Sequence, residues 1–394
     1  MFLNFYMGKG YLNMERKVHL MKNTKFKLNQ IFALIILLAF GQGFAEESAQ
    51  VCESEWWENC TSQPATQNIS GKTYYSINSA EELAWFAAKV NTTEKGKANI
   101  SSGINAILLK DIDLSGKMWT PIAAGKGDTK FSGILDGNEH KITGLTIDGL
   151  RLAYETKNVY CDSLNPSKPY CNGQNIGLIG SLGGTVKNLT LEVADIQASN
   201  SEGLSFQMGK PISVGTLVGW MGSGTIDGVY VNGHINTSGN GQGVGGLVGN
   251  AQSGTVKNSV CDVTIYASGD DVFVGGILGY TKGAVNVNSC MYVGESIAND
   301  GANGSVGGIV GKSTVNSLNA TNSYYDTDVV SNGVGTGSVN NNKKPTGVTD
   351  LNTEQVACGM NGKTWDANLQ VCSGEGSDEW EVGISELSQN GSDG

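Results

Sequence analysis

A short apolar segment bracketed by glycines recurs five times in this chain and constrains its fold more than any other feature. The copies are IGLIG (176–180), VGTLVG (214–219), VGGLVG (244–249), VGGILG (274–279) and VGGIVG (306–311). From the second copy onward, the starts at positions 214, 244, 274 and 306 are almost evenly spaced. Self-similarity at such a period is typical of a solenoid, in which each repeat buries its apolar face against its neighbours.

Each repeat offers three candidate strands, which in the third copy are VGGLVG, GTVKNSV and CDVTIYA. Parallel strands stacked from repeat to repeat lie about 4.8 Å apart, so equivalent inward positions form columns of Val, Ile and Leu. We expect Val248 to lie in such a column. Glycine inside the segment indicates a close backbone approach that leaves no room for a Cβ atom.

The N-terminal region has the order of a signal peptide. A lysine-rich stretch (22–27) precedes the apolar run 31–40, and small residues follow up to Ala45. A membrane anchor is the rival interpretation, but this apolar run is much shorter than the span of about 20 that a bilayer needs. We therefore expect a secreted or cell-surface protein without a membrane span in its mature chain. The start of translation has three candidates, which are the first residue, Met14 and Met21.

The charge balance narrows the range of partners. The chain has 26 Lys and Arg against 37 Asp and Glu, a formal net charge of −11. Neutralisation of phosphates needs clustered Lys and Arg, so this balance disfavours nucleic acid and anionic membrane surfaces as partners.

Eight cysteines, an even number in a chain expected to be exported, favour disulfides over zinc. The candidate pairs are Cys52 with Cys60, Cys161 with Cys171, Cys358 with Cys372, and Cys261 with Cys290. The last two are separated by almost one repeat. Counted from Gly254 and Gly283, the two positions stack directly and favour a bridge, whereas alignment of Asn258 with Asn288 shifts the register by one and turns the side chains to opposite faces.

An amphipathic helix is predicted before the repeats. Ser79 and Glu82 form a capping box, and the apolar residues of one face follow at Leu83, Phe86, Ala87 and Val90. We expect this helix to cover one end of the stack of strands, because an open end invites edge-to-edge association.

The order of these motifs carries a resemblance. The segments SAEELAWFA, LLKDIDL, WTPI and FSGILDGNEHKITGL, followed by repeated VGGLVG and the strand GTVKNSV, resemble the secreted and surface-exposed bacterial proteins with GLUG repeats. The resemblance covers roughly residues 70–330. It implies an all-β fold, a right-handed parallel β-helix, and a role in adhesion or surface display. The chain departs from the pattern in its short first segment and in an insertion around 198–212.

The resulting organisation has five parts. They are a signal peptide (1–45), a linker with Cys52 and Cys60 (46–70), an N-terminal cap of helix and strands (71–130), GLUG-type β-helix repeats (131–330), and a C-terminal cap with a disordered acidic tail (331–394).

Catalytic chemistry has few candidate residues. Parallel β-helices also host carbohydrate enzymes, which need paired carboxylates together with a histidine and basic groups. Beyond the leader, the chain has as its histidines and arginine only His140, His234 and Arg151. His140, beside Asp136 and Glu139, is interpreted as a turn histidine, and His234 has no evident partner. We therefore predict no catalytic residues and a protein that is not an enzyme, with a polysaccharide lyase or hydrolase as the alternative.

Three acidic pairs are candidates for Ca²⁺, because carboxylates and turn carbonyls suit a hard cation. They are Asp111 with Asp113, Asp270 with Asp271, and Asp326 with Asp328. No EF-hand loop or calcium-binding nonapeptide accompanies them. We predict no cofactor and no metal site, with Ca²⁺ as the alternative.

The position directly after each glycine segment predicts a surface column: Ser181, Trp220, Asn250, Tyr280 and Lys312. Trp220 and Tyr280 are the candidate ligand-binding residues, because aromatic rings stack on sugar rings. They lie two repeats apart, which corresponds to about 10 Å. The alternative is that both rings pack against the insertion at 198–212.

These features predict a secreted or cell-surface, non-enzymatic repeat protein that adheres to extracellular polysaccharide or to another surface protein. A carbohydrate-active enzyme or its accessory module is one alternative. A structural display stalk is the other.

Overall fold

The computed structural model describes residues 62–91, 104–124, 130–148, 175–199, 213–314 and 318–335, and short strands at 161–162, 170–171, 348–351, 364–366 and 371–373. The predicted leader, the acidic tail, and Cys52, Cys60 and Cys358 lie outside the described residues. Within them the chain is dominated by parallel strands, with a single helix, which confirms the all-β prediction.

The elements before the glycine segments are short. They are β1 (Thr66–Ile69), β2 (Lys72–Ile77), α1 (Ala80–Asn91), β3 (Asn105–Leu108), β4 (Ile112–Asp113), β5 (Ile134–Asp136), β6 (Lys141–Thr143), β7 (Thr146–Asp148), β8 (Cys161–Asp162) and β9 (Tyr170–Cys171).

The elements from the first glycine segment onward include three long strands, β12, β15 and β18. In order they are β10 (Asn175–Ile176), β11 (Ile179–Leu182), β12 (Thr185–Ser199), β13 (Ser213–Gly215), β14 (Val218–Met221), β15 (Thr225–Ser238), β16 (Gly243–Gly245), β17 (Val248–Ala251), β18 (Gly254–Ser268), β19 (Phe273–Gly275), β20 (Leu278–Thr281), β21 (Val285–Tyr292), β22 (Ile297–Asn299), β23 (Ser305–Gly307), β24 (Val310–Ser313), β25 (Leu318–Thr321), β26 (Ser323–Asp326), β27 (Val348–Leu351), β28 (Thr364–Asp366) and β29 (Val371–Ser373).

Helix α1 begins where the capping box predicts. Ser79 Oγ accepts a hydrogen bond from the Glu82 backbone N–H, at 3.3 Å. The Glu82 carboxylate accepts in return from the backbone N–H of Asn78 rather than of Ser79 itself. The apolar face is buried as predicted, and the Phe86 ring meets the Phe131 ring edge to face at 5.9 Å between centroids. The helix is thereby joined to the core that begins in the following strands.

Three sheets arise from the repeats. A 15-stranded sheet, which we call the long sheet, runs in the order β1-β2-β3-β5-β12-β15-β18-β21-β26-β27 with short strands beside this path. The two halves of the glycine segments form two five-stranded sheets, β10-β13-β16-β19-β23 and β11-β14-β17-β20-β24. Pairing between successive repeats is parallel throughout, for example Val244 with Val274 and Val248 with Leu278.

The three strands predicted within each repeat are divided differently. The segment VGGLVG breaks into two strands, β16 and β17, while GTVKNSV and CDVTIYA form the single long strand β18. Strand β18 bends at Asn258, whose φ of 52° lies in the left-handed region that asparagine tolerates. Its side-chain amide donates to Asp227 Oδ1 of the preceding repeat at 2.9 Å. A bend and a hydrogen bond thus replace the predicted break.

The glycines of the repeated segments allow the two five-stranded sheets to approach backbone to backbone. A Cβ atom on Gly249 would collide with the backbone nitrogen of Val214 and lie 2.7 Å from the carbonyl oxygen of Gly219. Val248, next to it, is fully buried, as the predicted column requires.

The second glycine of the paired glycines lies against a side chain of the long sheet. A Cβ on Gly246 would collide with the Cys261 sulfur, and one on Gly276 would collide with the Tyr292 ring. In the second repeat the equivalent position holds Thr216 rather than glycine. The long-sheet residue in register with Cys261 is there Val231, which has a branched side chain. Glycine is therefore needed where the Cys261 sulfur or the Tyr292 ring projects towards the segment, and not in every repeat.

The predicted bridge between Cys261 and Cys290 is wrong. Both are free, buried thiols. The register pairs Cys290 with Ser259, and Cys261 with Tyr292, so the two cysteines are offset by two positions instead of zero or one. The reason is that the step from this repeat to the next along the long sheet is longer, by that same offset, than the separation of the cysteines in the chain. Burial raises the pKa of Cys290 to about 12, which keeps this thiol protonated and unreactive.

The other cysteine pairs remain predictions. The backbone register sets Cys161 opposite Cys171 in the antiparallel pair of β8 and β9. Cys372 lies in β29, and its predicted partner is outside the described residues.

Candidate functional site

The column predicted after the glycine segments exists in the structure. Ser181, Trp220, Asn250, Tyr280 and Lys312 are successive register partners across β11, β14, β17, β20 and β24. Trp220 and Tyr280 are both half-buried and separated by the buried Asn250. The Lys130 ammonium lies 5.0 Å from the Trp220 ring centroid, in a cation–π arrangement. Part of each candidate ring is therefore already engaged by the protein itself.

Tyr280 belongs to an aromatic pair that sequence reasoning missed. Its ring centroid lies 5.5 Å from that of Phe273, the first residue of β19. The Lys312 ammonium lies 4.1 Å from the Phe273 centroid, and the Lys282 ammonium 5.7 Å from that of Tyr280. Only an alignment of the position before each glycine segment with the position after it would have indicated this contact. Residues 200–212 of the insertion, the other predicted packing partner, lie outside the described residues.

Several candidate catalytic and metal residues form hydrogen bonds with neighbouring backbone groups. His140 Nδ1 lies 3.2 Å from Asp111 Oδ1, and the same oxygen accepts from the backbone N–H of Lys141. This backbone hydrogen bond, together with His140, holds the pKa of Asp111 below its usual value. The carboxylates of Asp113, Asp270 and Asp326 likewise accept from backbone N–H groups of nearby turns, each at 2.8 Å.

Within the described ranges, no three His, Cys, Asp or Glu side chains are grouped so that they could hold a metal ion. Over the same ranges, no helix is both long and apolar enough to cross a membrane.

A second surface emerges on the long sheet, where the C-terminal halves of β12, β15 and β18 lie side by side. We call it the outer polar patch: Asp195, Gln197, His234, Asn236, Thr264 and Tyr266. Asp195, His234 and Thr264 are successive register partners, as are Gln197, Asn236 and Tyr266. Five of the six are exposed and Thr264 is half-buried. Two parallel rows of polar side chains thus run along the direction in which the repeats stack.

Tyr266 is the one aromatic ring among the exposed large apolar side chains of the described residues, with 48% of its surface accessible. Its hydroxyl donates to Asp300 Oδ2 at 2.8 Å, and this hydrogen bond raises the pKa of Tyr266. In the neighbouring repeats, the Gln197 amide donates to Asp195 Oδ1 at 2.6 Å. The hydroxyl of Tyr266 is therefore held by Asp300 while the residue remains exposed.

The outer polar patch rests on a continuous column of isoleucine. Ile147, Ile196, Ile235, Ile265 and Ile297 are register partners in five successive repeats, and all are buried. Because side chains alternate along a strand, the residues on either side of each isoleucine lie on the opposite, outer face. Because the packed column holds the strands in place, the Cα atoms that carry the exposed side chains lie at the nearly constant spacing of stacked strands.

Comparison with known proteins gives little further guidance. No protein-family model matches this sequence, and no curated protein does. A solved structure named as a "putative immunoglobulin A1 protease" from Bacteroides ovatus superposes with a TM-score of 0.44 at 17% identity, covering 75% of this chain and 90% of that one. A likeness this distant carries no argument about function.

Proposed function

We propose that the chain is an exported, non-enzymatic repeat protein that binds extracellular polysaccharide through the outer polar patch. Its architecture, in this proposal, is a right-handed parallel β-helix built from GLUG-type repeats and covered at one end by α1. Parallel pairing that advances by one repeat in all three sheets supports the β-helix. The strong preference of parallel crossovers for one hand supports the handedness.

One observation supports the binding function: the exposed Tyr266 ring lies at the end of one of two parallel rows of hydrogen-bonding side chains. Sugars present hydroxyl groups around a ring whose C–H face is apolar, so an aromatic ring flanked by amides, hydroxyls and a carboxylate suits them. The isoleucine column beneath the patch pre-organises these side chains, which lowers the entropy cost of binding. An extended polymer laid along the rows would meet polar side chains at equivalent strand positions in successive repeats and the aromatic ring at Tyr266.

The test is retention of the purified chain on a panel of neutral plant and bacterial polysaccharides. We expect retention by the wild type and a loss of up to about tenfold in affinity for Tyr266→Ala, because aromatic contacts contribute about 0.5–1.5 kcal/mol. Tyr280→Leu, on the other face, is the matched control and should bind like the wild type.

Two results would overturn the proposal. Equal affinity of wild type and Tyr266→Ala would remove the outer polar patch from the binding site. New reducing or unsaturated ends released from the polysaccharide would show that the protein is an enzyme.

A further inference from the structure

Four residues on the glycine-segment face form a compact group of two rings and two ammonium groups. We call Phe273, Tyr280, Lys282 and Lys312 the lysine–aromatic cluster. Phe273 lies in β19, Tyr280 in β20 and Lys312 in β24, and Lys282 directly follows β20. Tyr280 and Lys312 are register partners, and Phe273 packs against both. Lys282 is exposed, and the other three are half-buried. All four therefore reach the surface at one place.

The lysine–aromatic cluster contains two lysines in a chain with a formal net charge of −11. Lys117, Lys141, Lys187 and Lys257 each lie within 3.1 Å of a carboxylate oxygen. Among the residues that the structure describes, neither Lys282 nor Lys312 has a carboxylate at salt-bridge distance. Asp271, two residues before Phe273, is exposed and forms no ion pair with them. Two ammonium groups thus remain without a carboxylate partner beside two aromatic rings.

We propose that the lysine–aromatic cluster is a second binding site, selective for acidic polysaccharide. The accessible part of the Tyr280 ring would contact the apolar face of a sugar, and Lys282 and Lys312 would bind the carboxylate carried by a uronic acid. A sulfate ester presents the same charge and oxygen geometry, and the experiment separates the two sources. Because the site lies on a different face, it does not depend on the outer polar patch.

Titration calorimetry with oligogalacturonate, dextran sulfate and neutral dextran tests the proposal on the full chain. We expect binding of oligogalacturonate that weakens as salt is raised, whereas any binding of neutral dextran, through the outer polar patch, should not depend on salt. Lys282→Glu should lower the affinity up to about fivefold, the upper end of the contribution of one exposed ion pair, while Lys282→Arg should retain it. Lys110→Glu makes the same charge change at an exposed position elsewhere and should leave binding unchanged.

A third variant separates stacking from charge. Tyr280→Leu should weaken binding of oligogalacturonate without changing its salt dependence, and its thermal unfolding midpoint is measured alongside because the ring also packs against Phe273. Preference for dextran sulfate would assign the site to sulfated rather than carboxylated sugars and overturn the uronate assignment.

Equal affinity of Lys282→Glu and Lys110→Glu would overturn the site itself. Tyr266→Ala distinguishes the two proposals, since it should lose neutral polysaccharide while keeping oligogalacturonate.

Discussion

The two ends of the long strands β12, β15 and β18 differ in the pairing of their outward side chains. At the N-terminal end, Asp136, Lys187, Asp227 and Lys257 alternate in sign across successive repeats, with ion pairs of 2.8 Å and 2.9 Å. We call this row the charge ladder. At the C-terminal end, the outer polar patch contains hydrogen-bonding groups but no lysine or arginine. The same strands therefore pair their outward charges at one end and carry mostly exposed, uncharged polar side chains at the other.

The charge ladder contributes to the stability of the fold, whereas the outer polar patch is an exposed surface. Side chains of the charge ladder are bound by their neighbours, so their loss should change stability. Most side chains of the outer polar patch are exposed, although Gln197 donates a hydrogen bond to Asp195, so their loss should change the proposed binding more than stability.

The largest effect should come from the column under the patch. Ile235→Ala should lower the free energy of unfolding by about 2–5 kcal/mol, because it opens a cavity in a fully packed column. Asn236→Ala, one residue further along β15 and exposed, should cost less than about 0.5 kcal/mol. Denaturant unfolding of both variants measures the difference, and comparable losses would contradict the separation of supporting and presented residues.

The bend that follows the charge ladder should have the next largest effect. Asn258→Ala should cost about 1–2 kcal/mol, since alanine tolerates the left-handed backbone poorly and the hydrogen bond to Asp227 is lost. Asn258→Gly keeps the backbone conformation and should cost clearly less. Chemical denaturation compares the two, and equal costs would show that the hydrogen bond alone matters.

A stabilising change is expected just before the outer polar patch. Val193 adopts a φ of 53° at a bulge in β12, where its side chain is 67% exposed. A β-branched residue is strained in this region, so Val193→Gly should raise the free energy of unfolding by roughly 0.5–1 kcal/mol after the entropy cost of glycine. Val193→Ala retains a Cβ and should gain less. Thermal unfolding decides, and a lower midpoint for the glycine variant would rule out strain.

The charge ladder itself should contribute least. A double-mutant cycle on Lys257 and Asp227, whose side chains are 37% and 32% exposed, should give a coupling of about 0.2–1 kcal/mol that shrinks with added salt. Asp195→Asn in the outer polar patch should leave stability unchanged. A coupling that persists at high salt would contradict a screened surface pair.

Alkaline pH offers an independent check on the charge ladder. The hydrogen bond to Asp136 raises the pKa of Lys187 above its ordinary value of 10.5. The charged pair is therefore fully stabilising below pH 10.5, and its contribution is lost as the pH rises through the raised pKa of the folded state. The stability difference between wild type and Lys187→Met should narrow over that window. A difference independent of pH would show that charge is not involved.

Much of the framework follows from local sequence patterns. The period of the glycine segments predicted strands that stack repeat on repeat, and the column from Ser181 to Lys312 is in the register that this period requires. The capping box at Ser79 located the start of α1 because cap and apolar face are both local signals. Val248 is buried as predicted, since apolar residues in a stacked strand have few other places to lie.

The tertiary structure decided the register of the two cysteines and the exposure of the candidate binding residues. Cys261 and Cys290 miss each other because the step between their repeats along the long sheet exceeds their separation in the chain, a difference that sequence alignment did not resolve. Alternation in CDVTIYAS indicates that Tyr266 points outward, but only the packed structure shows that the residue remains exposed. It also shows that Phe273 packs against Tyr280 and that the Lys130 ammonium lies over the Trp220 ring. Local patterns determine which way a side chain points, whereas exposure depends on segments distant in the chain.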